Sequence, residues 1–225
     1  MLAKLMPRRL AVYFAIVATL FGVATTGVTP GLAQDDPTTW TEPALISETG
    51  QSSWFPYMVT DRSGRIHVIY SSTLETQRGG YDQVLYTSSD DGIEWTKPND
   101  IAALTMGPNR ESEVTRPFMF LDAENVLHLS YKGLTRTVIY YTQAPIAGAG
   151  LARFWAPKQE VGDNAYFSEV AIDRRGTIHL IYTSNVVSRR CPICYHIFYR
   201  KSADGGLTWT DPLDCLLYTS PSPRD

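Results

Sequence analysis

The stretch Trp209-Thr-Asp-Pro212 decides the fold, because a tryptophan closely followed by a proline recurs along the chain of 225 residues. The earlier copies are Trp40-Thr-Glu-Pro43, Trp95-Thr-Lys-Pro98 and Trp155-Ala-Pro157. Successive tryptophans of this series lie 55, 60 and 54 residues apart. A nearly constant spacing of this length indicates that one supersecondary unit is repeated along the chain.

A second element occurs once in each of three periods. It is an aspartate, a polar turn and an alternating run with a histidine and a tyrosine, and its copies are residues 61–70, 122–131 and 173–182. Strand-like runs precede and follow each copy, so each period contains four short strands. Repeated four-stranded antiparallel units predict an all-β fold, a β-propeller with about three blades present. A β-sandwich is the competing architecture, but it does not explain three recurrences of the whole unit.

The turn before Trp209 resembles the Asp-box, Ser/Thr-x-Asp-x-Gly-x-Thr-Trp, of sialidase-like (BNR-repeat) propellers. The full match consists of Ser202, Asp204, Gly206, Thr208 and Trp209. A second copy has Ser88, Asp90, Gly92 and Trp95, with a glutamate in place of the threonine. The middle period retains only the tryptophan. The resemblance implies that these boxes stabilise turns, so we expect structural roles for Asp90 and Asp204 rather than catalysis or calcium binding.

The same resemblance implies a ring of six blades, of which residues 34–214 would form one part. Residues 40–46 are predicted to be the last strand of a blade whose other strands lie outside this chain. We therefore expect the chain to be the N-terminal half of a larger protein. Residues 215–225 resemble a translated adaptor sequence and are interpreted as a non-native tail, with a flexible native tail as the alternative.

Residues 1–33 are predicted to be a secretory signal peptide. Lys4, Arg8 and Arg9 precede an apolar run over residues 10–23, and small residues follow it. An uncleaved membrane anchor is the alternative, but the run is shorter than the roughly 20 apolar residues that span a bilayer. We therefore expect a secreted, periplasmic or cell-surface protein with no stable membrane insertion after cleavage.

The charge of the mature chain disfavours nucleic acid as a partner. The chain has 20 basic and 23 acidic residues, and removal of residues 1–33 takes away three of the basic ones. The resulting net negative charge repels phosphate backbones and anionic membranes.

The cysteines and histidines do not predict a metal site. Cys191 and Cys194 are interpreted as a local disulfide, with two free thiols as the alternative, since a zinc site would need a second pair. His67, His128 and His179 occupy equivalent positions of successive units, too far apart to bind one metal ion. We expect these histidines to form hydrogen bonds between blades, and no cofactor is predicted.

A ligand site is expected where the first strands of the units converge at the mouth of the central channel. The candidate ligand-binding residues are Trp54, Tyr57, Arg110, Glu113, Arg116, Tyr166 and Glu169. Aromatic faces together with arginine and glutamate suit a sugar, through stacking and bidentate hydrogen bonds. The alternative is that Trp54 and Tyr166 only fill the channel and that the charged side chains are solvated.

Two functions are open at this point. The resemblance implies that a sialidase would bind its substrate carboxylate with three arginines, but Ser53-Trp54-Phe55-Pro56 lacks the first of them. We therefore expect the parent protein to bind glycans or another extracellular ligand. The alternative is a glycoside hydrolase whose remaining catalytic residues lie outside this chain. Glu113 and Glu169 could form its acid/base pair only if they lie about 5 to 10 Å apart.

Overall fold

The structure, a computed structural model, describes residues 40–48, 50–76, 79–102, 114–133, 137–187 and 194–216. The predicted signal peptide, Arg110, Glu113, Cys191 and residues 217–225 lie outside the described residues. Within the described ranges the chain forms three four-stranded antiparallel sheets and two short 3-10 helices. None of the helices in this part of the chain is long and apolar enough to cross a membrane.

Each sheet is a meander of four strands paired in chain order, and each corresponds to one period of the sequence. The first sheet contains β1 (Ser52–Thr60), β2 (Ile66–Thr76), β3 (Gly79–Ser89) and β4 (Asn99–Asp100). The second contains β5 (Val114–Leu121), β6 (Val126–Gly133), β7 (Val138–Pro145) and β8 (Gln159–Gly162). The third contains β9 (Ala165–Ile172), β10 (Ile178–Val186), β11 (Cys194–Ser202) and β12 (Leu213–Asp214). The predicted all-β fold of four-stranded antiparallel sheets is confirmed.

Aspartates shape the turns between the first two strands of every sheet. The carboxylate of Asp61 accepts hydrogen bonds from the backbone N–H groups of Ser63 (2.8 Å) and Arg65 (3.0 Å). Asp122 and Asp173 accept the same two bonds, from the residues two and four positions later. A further bond from the Ser63 hydroxyl is the main reason why the pKa of Asp61 is lowered to about 2. These bonds join residues two and four positions apart, so the turn is stabilised locally.

The first strand of each following sheet packs on the sheet before it. In the first junction β5 contacts β1, β2 and β3, and in the second junction β9 contacts β5, β6 and β7. The first junction buries, among others, Ile69, Val84, Met119 and Leu129. The second junction buries Ile139, Val161, Val170 and Leu180. Burial of each such side chain stabilises the fold by about 1.5–3 kcal/mol, so the junctions supply much of the stability.

The histidines of the three sheets form hydrogen bonds within their own sheet, so the predicted bonds between blades are wrong. In the first sheet His67 Nδ1 lies 2.6 Å from the Tyr86 hydroxyl, and His67 Nε2 lies 3.4 Å from Asp61. His128 and His179 repeat this arrangement with their own tyrosine and aspartate. The reason is register, because the tyrosine lies diagonally across from the histidine on the neighbouring strand. Burial lowers the pKa of His67.

The turn before Trp209, residues 202–209, is closed by side-chain hydrogen bonds. The Ser202 hydroxyl donates to Asp204 (2.7 Å), and the N–H of Gly206 donates to the Ser202 oxygen (2.8 Å). Asp204 also accepts bonds from the backbone N–H and the hydroxyl of Thr208, at 2.9 and 2.5 Å. The hydroxyl bond from Thr208 is the main reason why the pKa of Asp204 is lowered to about 2. We name this segment the Trp209 hairpin.

In the first sheet the turn carboxylate is Asp91, one residue later than the sequence pattern predicts. Asp91 accepts a hydrogen bond from the Ser89 hydroxyl and further bonds from the backbone N–H groups of Ile93 (2.8 Å) and Glu94 (2.9 Å). Asp90 instead forms an ion pair with Arg65 (2.5 Å), and the Ser88 hydroxyl accepts a bond from the same guanidinium (2.9 Å). Asp90 thus lies in the turn and has a structural contact, but the side chains that close the turn are those of Ser89 and Asp91 and not those of Ser88 and Asp90.

The shift has its origin in the length of the turn. Strand pairing places Ser89 where Ser202 lies in the third sheet. The turn of the third sheet contains two successive glycines with positive φ, Gly205 (72°) and Gly206 (88°). The turn of the first sheet contains only one, Gly92 (74°). The two turns therefore differ by one residue, although their tryptophans occur in the same motif.

The middle period has a longer segment in place of the hairpin. It contains the 3-10 helices η1 (Ile146–Gly148) and η2 (Ala152–Phe154). Trp155 is buried, and its indole N–H donates to the carbonyl of Ala149 (2.9 Å). Trp40, by contrast, is fully exposed, and residues 40–46 form no strand. The strand predicted there is not seen, because a strand requires a neighbouring strand to bond to.

Candidate functional site

The first strand of each sheet contains an irregularity just before its aspartate turn. In β1 the register shifts between Trp54 and Tyr57, and in β5 it shifts between Thr115 and Phe118. Phe55 and Arg116 adopt left-handed φ values of 54° and 53°, which cost about 1–3 kcal/mol each for residues other than glycine. A β-bulge turns a side chain away from its regular direction, and bulges are common next to functional sites. The side chains at these bulges are therefore candidates for a ligand site.

Three side chains at equivalent positions meet at these bulges. Phe55, Arg116 and Phe167 each precede the aspartate of their turn by six residues. The guanidinium carbon of Arg116 lies 5.4 Å from the ring centroid of Phe55 and 4.7 Å from that of Phe167. We name this group the Arg116 stack, and each cation–π contact in it stabilises by about 0.5–2 kcal/mol.

The Arg116 stack is open to solvent, and within the described part of the chain no carboxylate neutralises its charge. The Phe55 and Phe167 side chains are 40% and 54% exposed. Among the described residues, no carboxylate forms a salt bridge with Arg116, and its buried Nε has no hydrogen-bond partner. Arginine seldom lies beside aromatic rings without a carboxylate or carbonyl to accept its N–H groups. Because Nε is shielded from solvent, a ligand would bond to the terminal Nη groups of the guanidinium.

Tyr57 and Glu169 lie in a second group next to the stack. Tyr57, Phe118 and Glu169 occupy the same register position in β1, β5 and β9. The rings of Tyr57 and Phe118 are 4.3 Å apart at their centroids. Burial raises the pKa of Tyr57, and the negative charge of Glu169 raises it further. Glu169 is thus close enough to influence the Tyr57 hydroxyl.

Tyr166 links three strands through its ring. The ammonium of Lys132 lies 4.3 Å from the ring centroid of Tyr166, and Lys132 itself is almost fully buried on β6. The ring of Tyr195 on β11 meets Tyr166 edge-on, at 5.2 Å. A hydrogen bond to Tyr166 is the main reason why the pKa of Tyr195 is raised. Tyr166 is therefore held in place by contacts on both sides.

The structure thus brings together part of the predicted site. Arg116 meets side chains from both neighbouring sheets, and the charge of Glu169 acts on Tyr57, whereas Trp54 is 37% exposed and has no ring contact with Arg116 or with the other described candidates. The residues that sequence reasoning missed are Phe55, Phe118, Lys132, Phe167 and Tyr195. Counting six residues back from each turn aspartate would have found the two phenylalanines of the stack. Arg110 and Glu113 lie outside the described residues.

The remaining candidate ligand groups are the cysteines and possible metal ligands. Cys194 is disulfide-bonded, and Cys215 is a free thiol. Because Cys191 lies outside the described residues, its pairing with Cys194 stays a prediction. In the part of the chain that the structure describes, no three histidine, cysteine, aspartate or glutamate side chains form a cluster that could hold a metal ion.

Comparison with known proteins shows a likeness of fold. No protein-family model and no curated protein matches the chain. A solved structure described as a glycoside hydrolase is 10% identical, with a TM-score of 0.51 over 73% of this chain and 57% of that one. A GH43 endo-arabinanase from Bacillus licheniformis is 14% identical, with a TM-score of 0.49 over 71% and 54%. The α-L-arabinanase of Cellvibrio cellulosa is 11% identical, with a TM-score of 0.47 over 73% and 56%.

The chain spans about half the length of these solved structures. At such low identities the likeness concerns the fold alone, and it carries no residue roles. The similar structures are glycoside hydrolases, and a specific membership in the sialidase-like family is not confirmed.

Proposed function

We propose that the chain is part of a β-propeller that binds a glycan at the Arg116 stack. The observation that carries this proposal is the meeting of Phe55, Arg116 and Phe167 from three successive sheets. Aromatic faces pack against the C–H faces of sugars, and guanidinium N–H groups donate to sugar oxygens. The fold likeness to a glycoside hydrolase supports a glycan as the ligand class.

The propeller part of the proposal is supported by the two junctions. Ile69 and Val84 of the first sheet are fully buried by the sheet that follows. At equivalent positions of the third sheet, Ile181 and Ile197 are 42% and 43% exposed. The third sheet therefore presents the same apolar face without a following sheet among the described residues. A further sheet of the same kind would cover this face, and six in all would close the ring.

We further propose that the glycan carries a carboxylate. Arg116 is a cation that no described carboxylate neutralises, in a place where two exposed rings partly exclude water. Charge-assisted hydrogen bonds to a carboxylate are roughly twice as strong as neutral ones. A sialylated or uronic-acid-containing sugar would thus bind more tightly than its neutral counterpart.

Binding of sialyllactose and of lactose by isothermal titration calorimetry tests this proposal. We expect the chain to bind sialyllactose at least about tenfold more tightly than lactose, and Arg116→Ala to remove the preference. Arg153 is the matched control, because its guanidinium also stacks on a phenylalanine ring, that of Phe154 (5.0 Å), but outside the stack. Unchanged binding in Arg116→Ala, or equal loss in Arg153→Ala, would contradict the proposal.

A glycoside hydrolase is the second candidate, and the proximity of Glu169 to Tyr57 favours it. Hydrolysis of a glycosidic bond uses a pair of carboxyl groups. Glu169 could supply one of them, and the other would come from Glu113 or from a part of the parent protein. Release of the fluorophore from a fluorogenic sialoside, and its loss in Glu169→Gln, would establish this candidate. Binding of the sialoside without its hydrolysis would support the glycan-binding function instead.

Export is also part of the proposal. Cleavage after residue 33 would deliver the mature chain outside the cytoplasm, where complex glycans occur. Mass spectrometry of the N-terminus after expression in a bacterial host tests it. A mature N-terminus at or near Gln34 is expected, whereas an intact Met1 would contradict cleavage.

A further inference from the structure

We infer that the first junction carries a second ligand site, separate from the Arg116 stack, for one neutral sugar residue. The site is a groove of about 530 Å³ between the first sheet and the segment with η1 and η2. Its polar lining groups are Asp61, Arg65, His67, Tyr86, Ser88, Thr96 and Asn99. A volume of roughly 300–1,000 Å³ is typical of small-ligand sites.

The groove exists because the middle period lacks a hairpin like the one that covers Tyr141 in the second junction. There, a Cβ on Gly206 would lie only 2.6 Å from Cε1 of Tyr141, so the Trp209 hairpin rests directly on this ring. Gly150 takes the corresponding place over Tyr86, but its Cβ would lie 3.7 Å from Cε1 of that ring. Gly148 and Leu151 then line a space instead of filling it.

The far wall of the groove is attached to the first sheet. The Asn99 side-chain amide donates to the carbonyl of Gly150 (3.1 Å). The indole N–H of Trp155 donates to Ala149 (2.9 Å), and this tryptophan is buried in the core of the junction. The wall is thus held open by a hydrogen bond on one side and by core packing on the other, which gives a preformed site.

The charges of the groove are already engaged by the protein. Arg65 is paired with Asp90 at the rim, so an anionic ligand would meet no unpaired cation among the lining residues. Asp61 keeps its negative charge beside the neutral, buried His67, but its Oδ1 already accepts three bonds within the turn and its Oδ2 faces His67. A cation would therefore have to share a carboxylate that is already bonded, and any charged ligand would lose hydration on entry. The remaining lining offers hydroxyl, amide and backbone groups beside the apolar side chains of Ile146 and Leu151.

This mixture suits a neutral polyhydroxylated ring. Sugar hydroxyl groups both donate and accept hydrogen bonds, as Ser88, Asn99 and backbone groups do, and the C–H face of the ring can lie on Ile146. The inference does not depend on the proposed function of the Arg116 stack, because the two sites share no residue.

Amide chemical shifts of the full chain, titrated with lactose, cellobiose and maltose, test the inference. We expect saturable shifts at Asn99 and Gly150 for at least one disaccharide, with a dissociation constant near the millimolar range usual for single sugar contacts. Ala147→Trp fills the groove from the exposed η1 helix and should abolish them. The matched control is Ala203→Trp in the exposed Trp209 hairpin, which should leave the shifts unchanged.

Two further variants make the outcome decisive. If Ala147→Trp alters the fold, as judged by its amide spectrum, Asn99→Ala takes its place and should weaken binding at least fivefold. Arg116→Ala should leave the groove shifts intact, even where it abolishes binding of sialyllactose. The absence of saturable shifts for all three disaccharides, or shifts that persist when the groove is filled, would overturn the inference.

Discussion

The two junctions are built from equivalent strands, yet they differ above the equivalent tyrosines, Tyr141 and Tyr86. In the second junction Trp209 meets Tyr141 edge-on at 5.1 Å, and the Gln143 amide donates to the carbonyl of Gly205. In the first junction the longer segment covers Tyr86 only in part and leaves about 530 Å³ beside it. The comparison shows that the repeated strands form both junctions, whereas the segment before the last strand of a sheet determines whether the tyrosine beneath it is covered.

The two junctions also differ in what surrounds the aspartate, histidine and tyrosine that are hydrogen-bonded in each of them. His128 and His67 each join an aspartate to a tyrosine hydroxyl, and both are nearly inaccessible to solvent. Tyr141 is covered by the Trp209 hairpin, whereas Tyr86 lines the groove. Equivalent substitutions in the two junctions should therefore have unequal effects, and four experiments follow from this expectation.

The largest difference is expected for the two glycines above the tyrosine rings. Gly206→Ala should lower the free energy of unfolding by about 2–4 kcal/mol, because its φ of 88° is left-handed and the new Cβ clashes with Tyr141. Gly150→Ala should change it by less than about 1 kcal/mol, since the Cβ finds an ordinary contact distance. Urea denaturation measures both, and equal losses would show that the first junction is as tightly filled as the second.

A smaller difference is expected for the tyrosine hydroxyls. Tyr141→Phe should destabilise by about 1–3 kcal/mol, because it leaves the buried His128 Nδ1 without its partner. Tyr86→Phe should cost at most about 1 kcal/mol, since water in the groove can replace the lost hydroxyl. Thermal unfolding of both variants measures the two losses of stability. A larger loss for Tyr86→Phe would show that water in the groove does not replace the Tyr86 hydroxyl.

The pH dependence of stability should distinguish the two histidines. Burial lowers the pKa of both His128 and His67 in the folded chain, so the unfolded chain binds more protons below about pH 6.5. The contribution of these histidines to the free energy of unfolding is therefore fully present above that pH. It is lost as the pH falls toward their lower pKa values in the folded chain. His128→Gln should flatten this decline more than His67→Gln, because groove water can solvate a protonated His67. Urea midpoints measured between about pH 7 and about pH 5 test the order, and the reverse order would contradict it.

The smallest effect is expected at the rim of the groove. Asp90→Ala should change stability by no more than about 0.5 kcal/mol, because its ion pair with Arg65 is largely exposed. Its neighbour Asp91 is the matched control, since Asp91→Ala removes the bonds that close the turn and should destabilise clearly more. A larger loss for Asp90→Ala would restore the turn role that the sequence pattern predicted for it.

Local spacing explains which features could be predicted from the sequence. The aspartate turns depend on bonds between residues two and four positions apart, so Asp61, Asp122 and Asp173 were recognisable without a structure. The predicted site was recovered in part, because Arg116 was identified but its partners Phe55 and Phe167 were not. Each of these partners is a single phenylalanine in an ordinary strand, and only the packing of three sheets brings them to one guanidinium.

By itself, the sequence determined the period, the four strands of each sheet and the positions of the turns, because these depend on alternation and on short-range hydrogen bonds. Only the tertiary structure decided that Asp91 rather than Asp90 closes the first turn, that the histidines bond within their sheets, and that the first junction is open. The first two features depend on strand register, and the groove depends on contacts between residues 51 positions apart, such as Asn99 and Gly150. In both cases packing selects among partners that local patterns leave equivalent.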